Sequence, residues 1–109
     1  MLVNRRTFIS KRGRTEEAAK FLKTAMQLMD LPRPPRVYVC ELGPFDTIAV
    51  EIEEGESLAD YERNGAEWSA RTTPEFWEKW FSLTENGGAN EIWRIVCFRA
   101  TVQTRPARA

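Results

Sequence analysis

Six aromatic residues crowd the stretch from Tyr61 to Phe81: Tyr61, Trp68, Phe76, Trp77, Trp80 and Phe81. Rings at this spacing support two readings. They can fill a helix–sheet core, because aromatic side chains dominate core burial. They can also line a pocket for an aromatic or lipid-like ligand. Trp93 and Tyr38 can join either arrangement from neighbouring strands. Among the cations, Arg5, Arg6 and Arg94 stand on strands expected to be adjacent. Arg94 can hold a ligand carboxylate through paired N–H groups, or it can pair structurally with Glu41, Glu51, Glu53 or Glu91. The candidate ligand-binding set is therefore Tyr61, Trp68, Trp77, Trp80, Trp93 and Arg94. No residue pattern singles out a catalytic group.

Several chemistries are excluded. The chain has no histidine, so no Ser-His or Cys-His nucleophile can form and no haem can be held by a proximal histidine. Cys40 and Cys97 lack metal-type spacing and read as buried small hydrophobes, which leaves no expectation of zinc. The acidic run Glu51, Glu53, Glu54 and Glu56 lacks the loop pattern of a calcium site and reads as a solvated strand end. Gly87-Gly88 follows a helix rather than opening one, so it is no phosphate loop. No metal and no cofactor are expected.

The 109 residues make one domain over 1–100 with a tail at 101–109. Apolar residues at 42% and charged residues at 29% are ordinary for a globular chain. Apolar runs are too short to span a bilayer, and no signal peptide is apparent, so a cytoplasmic protein without membrane contact is expected. The net charge is zero but unevenly spread: +6 over residues 1–37, −10 over 38–91 and +4 over 92–109. Adjacent strands of opposite charge are the preferred account of this pattern; a basic face for an anionic partner is the other. Nucleic-acid binders usually carry a basic excess, which is missing, so no nucleic-acid partner is expected.

The hydrophobic period supplies the elements that position these residues. It alternates by two over residues 2–10, 36–42, 47–53 and 91–99, which predicts four strands. Thr15 is expected to cap a helix with Glu16 and Glu17 in its first turn and an apolar stripe of Ala18, Leu22, Ala25, Met26 and Met29. Pro32, Pro34 and Pro35 require that helix to stop by Asp30-Leu31. Gly43-Pro44-Phe45-Asp46 turns strand two into strand three. Ser57 with Asp60 resembles a capping box, and Thr73-Pro74 marks a fresh helix start. The second helical region is therefore expected in two segments, 58–71 and 74–84, ended by Asn86-Gly87-Gly88.

Strand-helix-strand, twice, is the ferredoxin-like βαββαβ order, an α+β fold. Right-handed crossovers give a four-stranded antiparallel sheet in the order 4-1-3-2 with helices on one face. Strands two and four then occupy opposite edges, about 14 Å apart, so Cys40 and Cys97 cannot pair within one chain. Strands two and four are apolar on both faces: Val37 and Val39 point opposite to Tyr38, Cys40 and Leu42, and Ile92, Val96 and Phe98 opposite to Trp93, Ile95 and Cys97. The outer face needs a cover, and a second copy of the sheet supplies one. A homodimer is expected.

Arg5-Arg6-Thr7-Phe8, Gly43-Pro44-Phe45-Asp46 leading to Glu51, Pro74-Glu75-Phe76-Trp77-Glu78-Lys79-Trp80 and Glu91-Ile92-Trp93-Arg94 resemble the NIPSNAP-like family of the dimeric α/β-barrel superfamily. The resemblance spans roughly residues 3–99. It implies a two-sheet barrel at a dimer interface and an apolar cleft between sheet and helices. Relatives in the superfamily include cofactor-free monooxygenases, haem-degrading enzymes, stress-response proteins and many members with no known activity. Asn4 and Asn64 of this chain are polar residues that an oxygenase of this kind would use to orient substrate, although nothing in the sequence raises either above other polar residues. The expected function is binding of a small apolar or aromatic molecule in that cleft. The alternative is a cofactor-independent monooxygenase acting on an electron-rich aromatic substrate. RNA-recognition domains share the element order, but strand three here is acidic and carries no ring for base stacking.

Overall fold

The computed structural model describes residues 1–96. Its elements run β1 (Leu2–Ser10), α1 (Thr15–Met26), β2 (Arg36–Val39), β3 (Thr47–Gly55), α2 (Leu58–Arg71), α3 (Pro74–Leu83) and β4 (Thr84–Arg94). The four strands form one antiparallel sheet ordered β2-β3-β1-β4, which is the expected 4-1-3-2 read from the other edge. The α+β ferredoxin-like architecture is thus as expected. Cys97, Phe98 and the 101–109 tail lie outside the described residues.

Period-two alternation decides which side chains meet the helices. On β3, Ile48, Val50, Ile52 and Glu54 are buried while their neighbours are not. Register carries this face across the sheet: Val37 pairs with Val50 and Val39 with Ile48, while Asn4 pairs with Ile52 and with Ile92. Ala18, Ala19, Leu22 and Met26 of α1 and Trp80 and Leu83 of α3 pack onto it and complete the core. The opposite face carries Tyr38, Ala49, Glu51, Val3, Arg5, Thr7, Ala89 and Trp93. Arg5 pairs there with Glu51 at 3.2 Å, and Tyr38 donates its hydroxyl to the same carboxylate at 2.8 Å.

The helix starts follow local chemistry. Ser57 accepts from the Asp60 amide while the Asp60 carboxylate accepts from the Ser57 amide, a reciprocal box. Thr73 caps α3 through the Phe76 amide, with Pro74 at the first helical position. The two-segment division is as expected.

Three boundaries differ from the sequence reading. Thr15 is the first residue of α1 rather than its cap. Arg14 holds the cap position without a side-chain bond, and the Thr15 hydroxyl is engaged by Ser10 at 2.6 Å. Strand two ends at Val39, because the chain then leaves the ladder for a wide connection through Gly43 and Asp46, both at positive φ. Strand four begins at Thr84 instead of residue 91, directly after α3, and ends at Arg94. Asn86-Gly87-Gly88 does not end a helix. It forms an irregularity inside β4, between the pairs Ile9–Glu85 and Thr7–Ala89. Two extra residues on one strand need positive φ, which Gly87 and Gly88 supply. Gly88 is also required by space, since a Cβ there would lie 2.1 Å from the Thr7 carbonyl oxygen.

Candidate functional site

A cavity of about 480 Å³ lies between the inner face of the sheet and the helices. This is the size range of small-molecule sites. Its apolar wall is aromatic. Trp80 is 5% exposed and meets Phe8 of β1 edge-on, with ring centroids 5.1 Å apart. Phe76 stands edge-on to both Trp68 and Trp77. Trp77 and Phe81 continue the row at 5.7 Å and are partly open to solvent. Leu22, Met26 and Met29 close the wall from α1 and the turn after it. Trp80 therefore belongs to the core, and the aromatic row it joins also borders open space.

The other end of the cavity is polar. Asn4, which is fully buried, lies at the centre of a hydrogen-bond chain whose direction is forced. Arg6 Nε can only donate, and it donates to Asn4 Oδ1 at 2.9 Å. The Asn4 amide nitrogen must then face its other partners. It donates to the Glu91 carbonyl at 2.8 Å and to Asn90 Oδ1. Asn90 therefore presents its own N–H groups to the Tyr61 hydroxyl oxygen, at 3.2 Å. Arg6 Nη2 reaches the same oxygen at 3.4 Å.

Glu54 faces the cavity from β3. It is 5% exposed. Asn64 of α2 donates to its Oε1 and to its backbone carbonyl, each at 2.9 Å. Burial pushes the Glu54 carboxyl above the usual range; the Asn64 hydrogen bond and the charge of Arg6 offset this in part. Among the described residues, no donor reaches its second oxygen.

Of the six candidates from sequence, Tyr61, Trp68, Trp77 and Trp80 line this cavity together. Trp93 does not. It pairs with Val3 on the outer face, 58% exposed, with its indole N–H on Glu91. Arg94 pairs with Leu2 at the end of β4 and is not among the lining residues. Arg6 occupies the place considered for Arg94. The reading of Glu54 as part of a solvated strand end is corrected by its burial. Its signal was present in the sequence: Ile48, Val50 and Ile52 set a period of two, and Glu54 continues it onto the inner face. Among the described residues, no group of His, Cys, Asp or Glu is arranged to hold a metal ion, and no helix is long and apolar enough to cross a membrane.

No protein-family profile matches the chain, and no curated protein matches it in sequence. Solved structures do match. An uncharacterized NIPSNAP domain protein from Burkholderia xenovorans superposes with a TM-score of 0.63 at 18% identity, over 90% of this chain and 97% of the other. A NIPSNAP-like domain protein from the same organism gives 0.66 at 18% identity, over 89% and 86%. A NIPSNAP family protein from Agrobacterium tumefaciens gives 0.64 at 17% identity, over 89% and 94%. The resemblance read from the sequence thus holds at the level of fold.

Proposed function

We propose that this chain, whose fold is that of NIPSNAP-domain proteins, binds a small apolar or aromatic molecule in the cavity between its sheet and helices. One observation carries the reading. The cavity of about 480 Å³ is aromatic at one end and hydrogen-bonding at the other, the arrangement that fixes a ligand's orientation while burying its apolar body. Fold alone would not support a function; the support comes from this cavity. The protein acts as a homodimer in this proposal. Tyr38, Ala49, Val3 and Trp93 on the outer face, with the Arg5–Glu51 pair among them, give a second sheet a mixed apolar and polar surface to cover.

The test is titration of the protein with polycyclic and phenolic compounds, followed by tryptophan emission. Saturable quenching is expected, because Trp68, Trp77 and Trp80 all border the cavity. A flat response across the panel would defeat the proposal. The monooxygenase alternative needs the same dry pocket plus reaction with oxygen. Saturating, protein-dependent oxygen uptake with such a ligand would favour it.

A further inference from the structure

We propose that the polar end of this cavity is a proton-transfer site, in which Glu54 accepts the proton of a phenolic or enolic hydroxyl while Arg6 and Tyr61 hold the oxyanion. This rests on the cavity being the ligand site and goes on to name the ligand's class: an apolar ring system bearing an acidic hydroxyl.

The hydrogen-bond chain has one direction throughout. Every bond in it runs away from Arg6: Arg6 Nε to Asn4, Asn4 to Asn90, Asn90 to Tyr61. Arg6 Nη2 also points its N–H at the Tyr61 oxygen. Tyr61 therefore receives from both of its described partners, and its own proton is free to donate. Glu54 is the complement. Asn64 donates to one carboxylate oxygen, and the other receives nothing among the described residues. The cavity thus presents a free hydroxyl donor and a guanidinium together with a free acceptor oxygen on Glu54. A hydroxyl group fits this set: its proton meets Glu54, and its oxygen meets Tyr61 and Arg6.

The surroundings favour transfer of that proton. A partly desolvated carboxylate is a stronger base than a fully hydrated one, because burial destabilises its charged form. An oxyanion placed beside fixed N–H and O–H donors needs no solvent reorganisation. The charged and titratable groups lining the same cavity are Arg6 on β1, Tyr61 on α2 and Glu85 on β4. The step balances. The ligand O–H bond breaks, a Glu54 O–H bond forms, and the negative charge moves from the carboxylate to the ligand oxygen beside Arg6. No electron leaves the pair. A carboxylate here also supplies the base that a chain without histidine otherwise lacks.

The test uses the full chain and 2-naphthol at mildly alkaline pH, below the naphthol's own pKa. Calorimetry in buffers of different ionisation enthalpy reads binding and any protons exchanged with solvent. The naphtholate absorption band reads ionisation. Wild type is expected to bind, to show the band, and to release no net proton, because the proton stays on Glu54. Glu54→Gln is expected to bind more weakly and, in the ligand it does bind at saturating concentration, to lose about tenfold or more of the ionised fraction, the effect of one unit of relative pKa. Tyr61→Phe should weaken binding and lower the ionised fraction of the ligand bound at saturation. Binding of neutral naphthol by wild type, or an undiminished band in Glu54→Gln, would overturn the proton-transfer site while leaving the ligand cavity standing. Absence of binding would overturn both.

Discussion

Gly65 separates the stability of this protein from its binding. It lies in the interior of α2, between Tyr61 and Trp68, and it lines the cavity. A Cβ built there meets nothing within 4 Å. Glycine in a helix interior costs about 0.8–1.0 kcal/mol relative to alanine, mainly through backbone entropy. Gly65→Ala should therefore stabilise the fold by about 1 kcal/mol and raise Tm by roughly 4–8 °C for a domain of this size. Gly65→Leu shares most of that helix gain, and its three further carbons start from a position that lines the cavity. Its stability should rise as well, while its affinity for an aromatic ligand falls by about tenfold or more, the equivalent of roughly 1.4 kcal/mol of lost contact or imposed clash. Urea unfolding reads the first quantity and calorimetric titration with 2-naphthol reads the second. A Gly65→Leu protein that is more stable and binds as well as Gly65→Ala would refute the placement of the ligand. A loss of stability in both variants would refute the open space assigned to that Cβ.

Other perturbations have equally definite outcomes. Gly88→Ala should cost about 2–5 kcal/mol in urea unfolding, from strain at positive φ together with overpacking against Thr7, whereas Gly13→Ala, at φ 80° with nothing within 4 Å, should cost only about 1–2 kcal/mol; equal losses would show that crowding at the β4 irregularity is not what demands glycine. The raised carboxyl of Glu54 means that the folded state holds its proton more tightly than the unfolded chain. Its contribution to stability is therefore most favourable below the ordinary value of 4.5 and declines as pH rises from there through the folded-state value. Unfolding of Glu54→Gln, followed from mildly acidic to neutral pH, should lack that decline. Trp93→Glu, on the outer face of β4, should shift the protein from dimer toward monomer in analytical ultracentrifugation without altering the fold by circular dichroism; an unchanged dimer would show that this face is not the interface.

Most of the fold was legible because each element carries its own punctuation. Ser57 with Asp60, Thr73 with Pro74, and the prolines after α1 mark boundaries by local chemistry, and the strand order follows from chirality and connection length. The errors fall where tertiary pairing overrides local preference. Asn86-Gly87-Gly88 reads as a helix end, yet the same positive φ that stops a helix also accommodates two extra residues in a ladder, and only the partner strand β1 decides between them. Thr15 has the composition of a cap, but Ser10, brought near by the β1–α1 turn, claims its hydroxyl. The site was half legible. Tyr61, Trp68, Trp77 and Trp80 share a cavity because helical spacing puts them there. The polar end was harder to see. Arg6 and Glu54 come from different strands and Asn64 from a helix, so their meeting depends on sheet register and on how α2 lies across it. Trp93 was misleading for a related reason: one residue of register sends it to the outer face, opposite to Ile92.

Native mass spectrometry of gently purified protein, followed by addition of hydroxylated polycyclic compounds in the same experiment, tests the ligand-binding homodimer most directly. The expected spectrum shows two chains carrying a reproducible small-molecule increment, or two chains that take up about one added aromatic molecule per cavity, with uptake lost in Gly65→Leu. A spectrum of single chains, unchanged in mass through the whole series of additions, would contradict both the dimer and the cavity as a binding site.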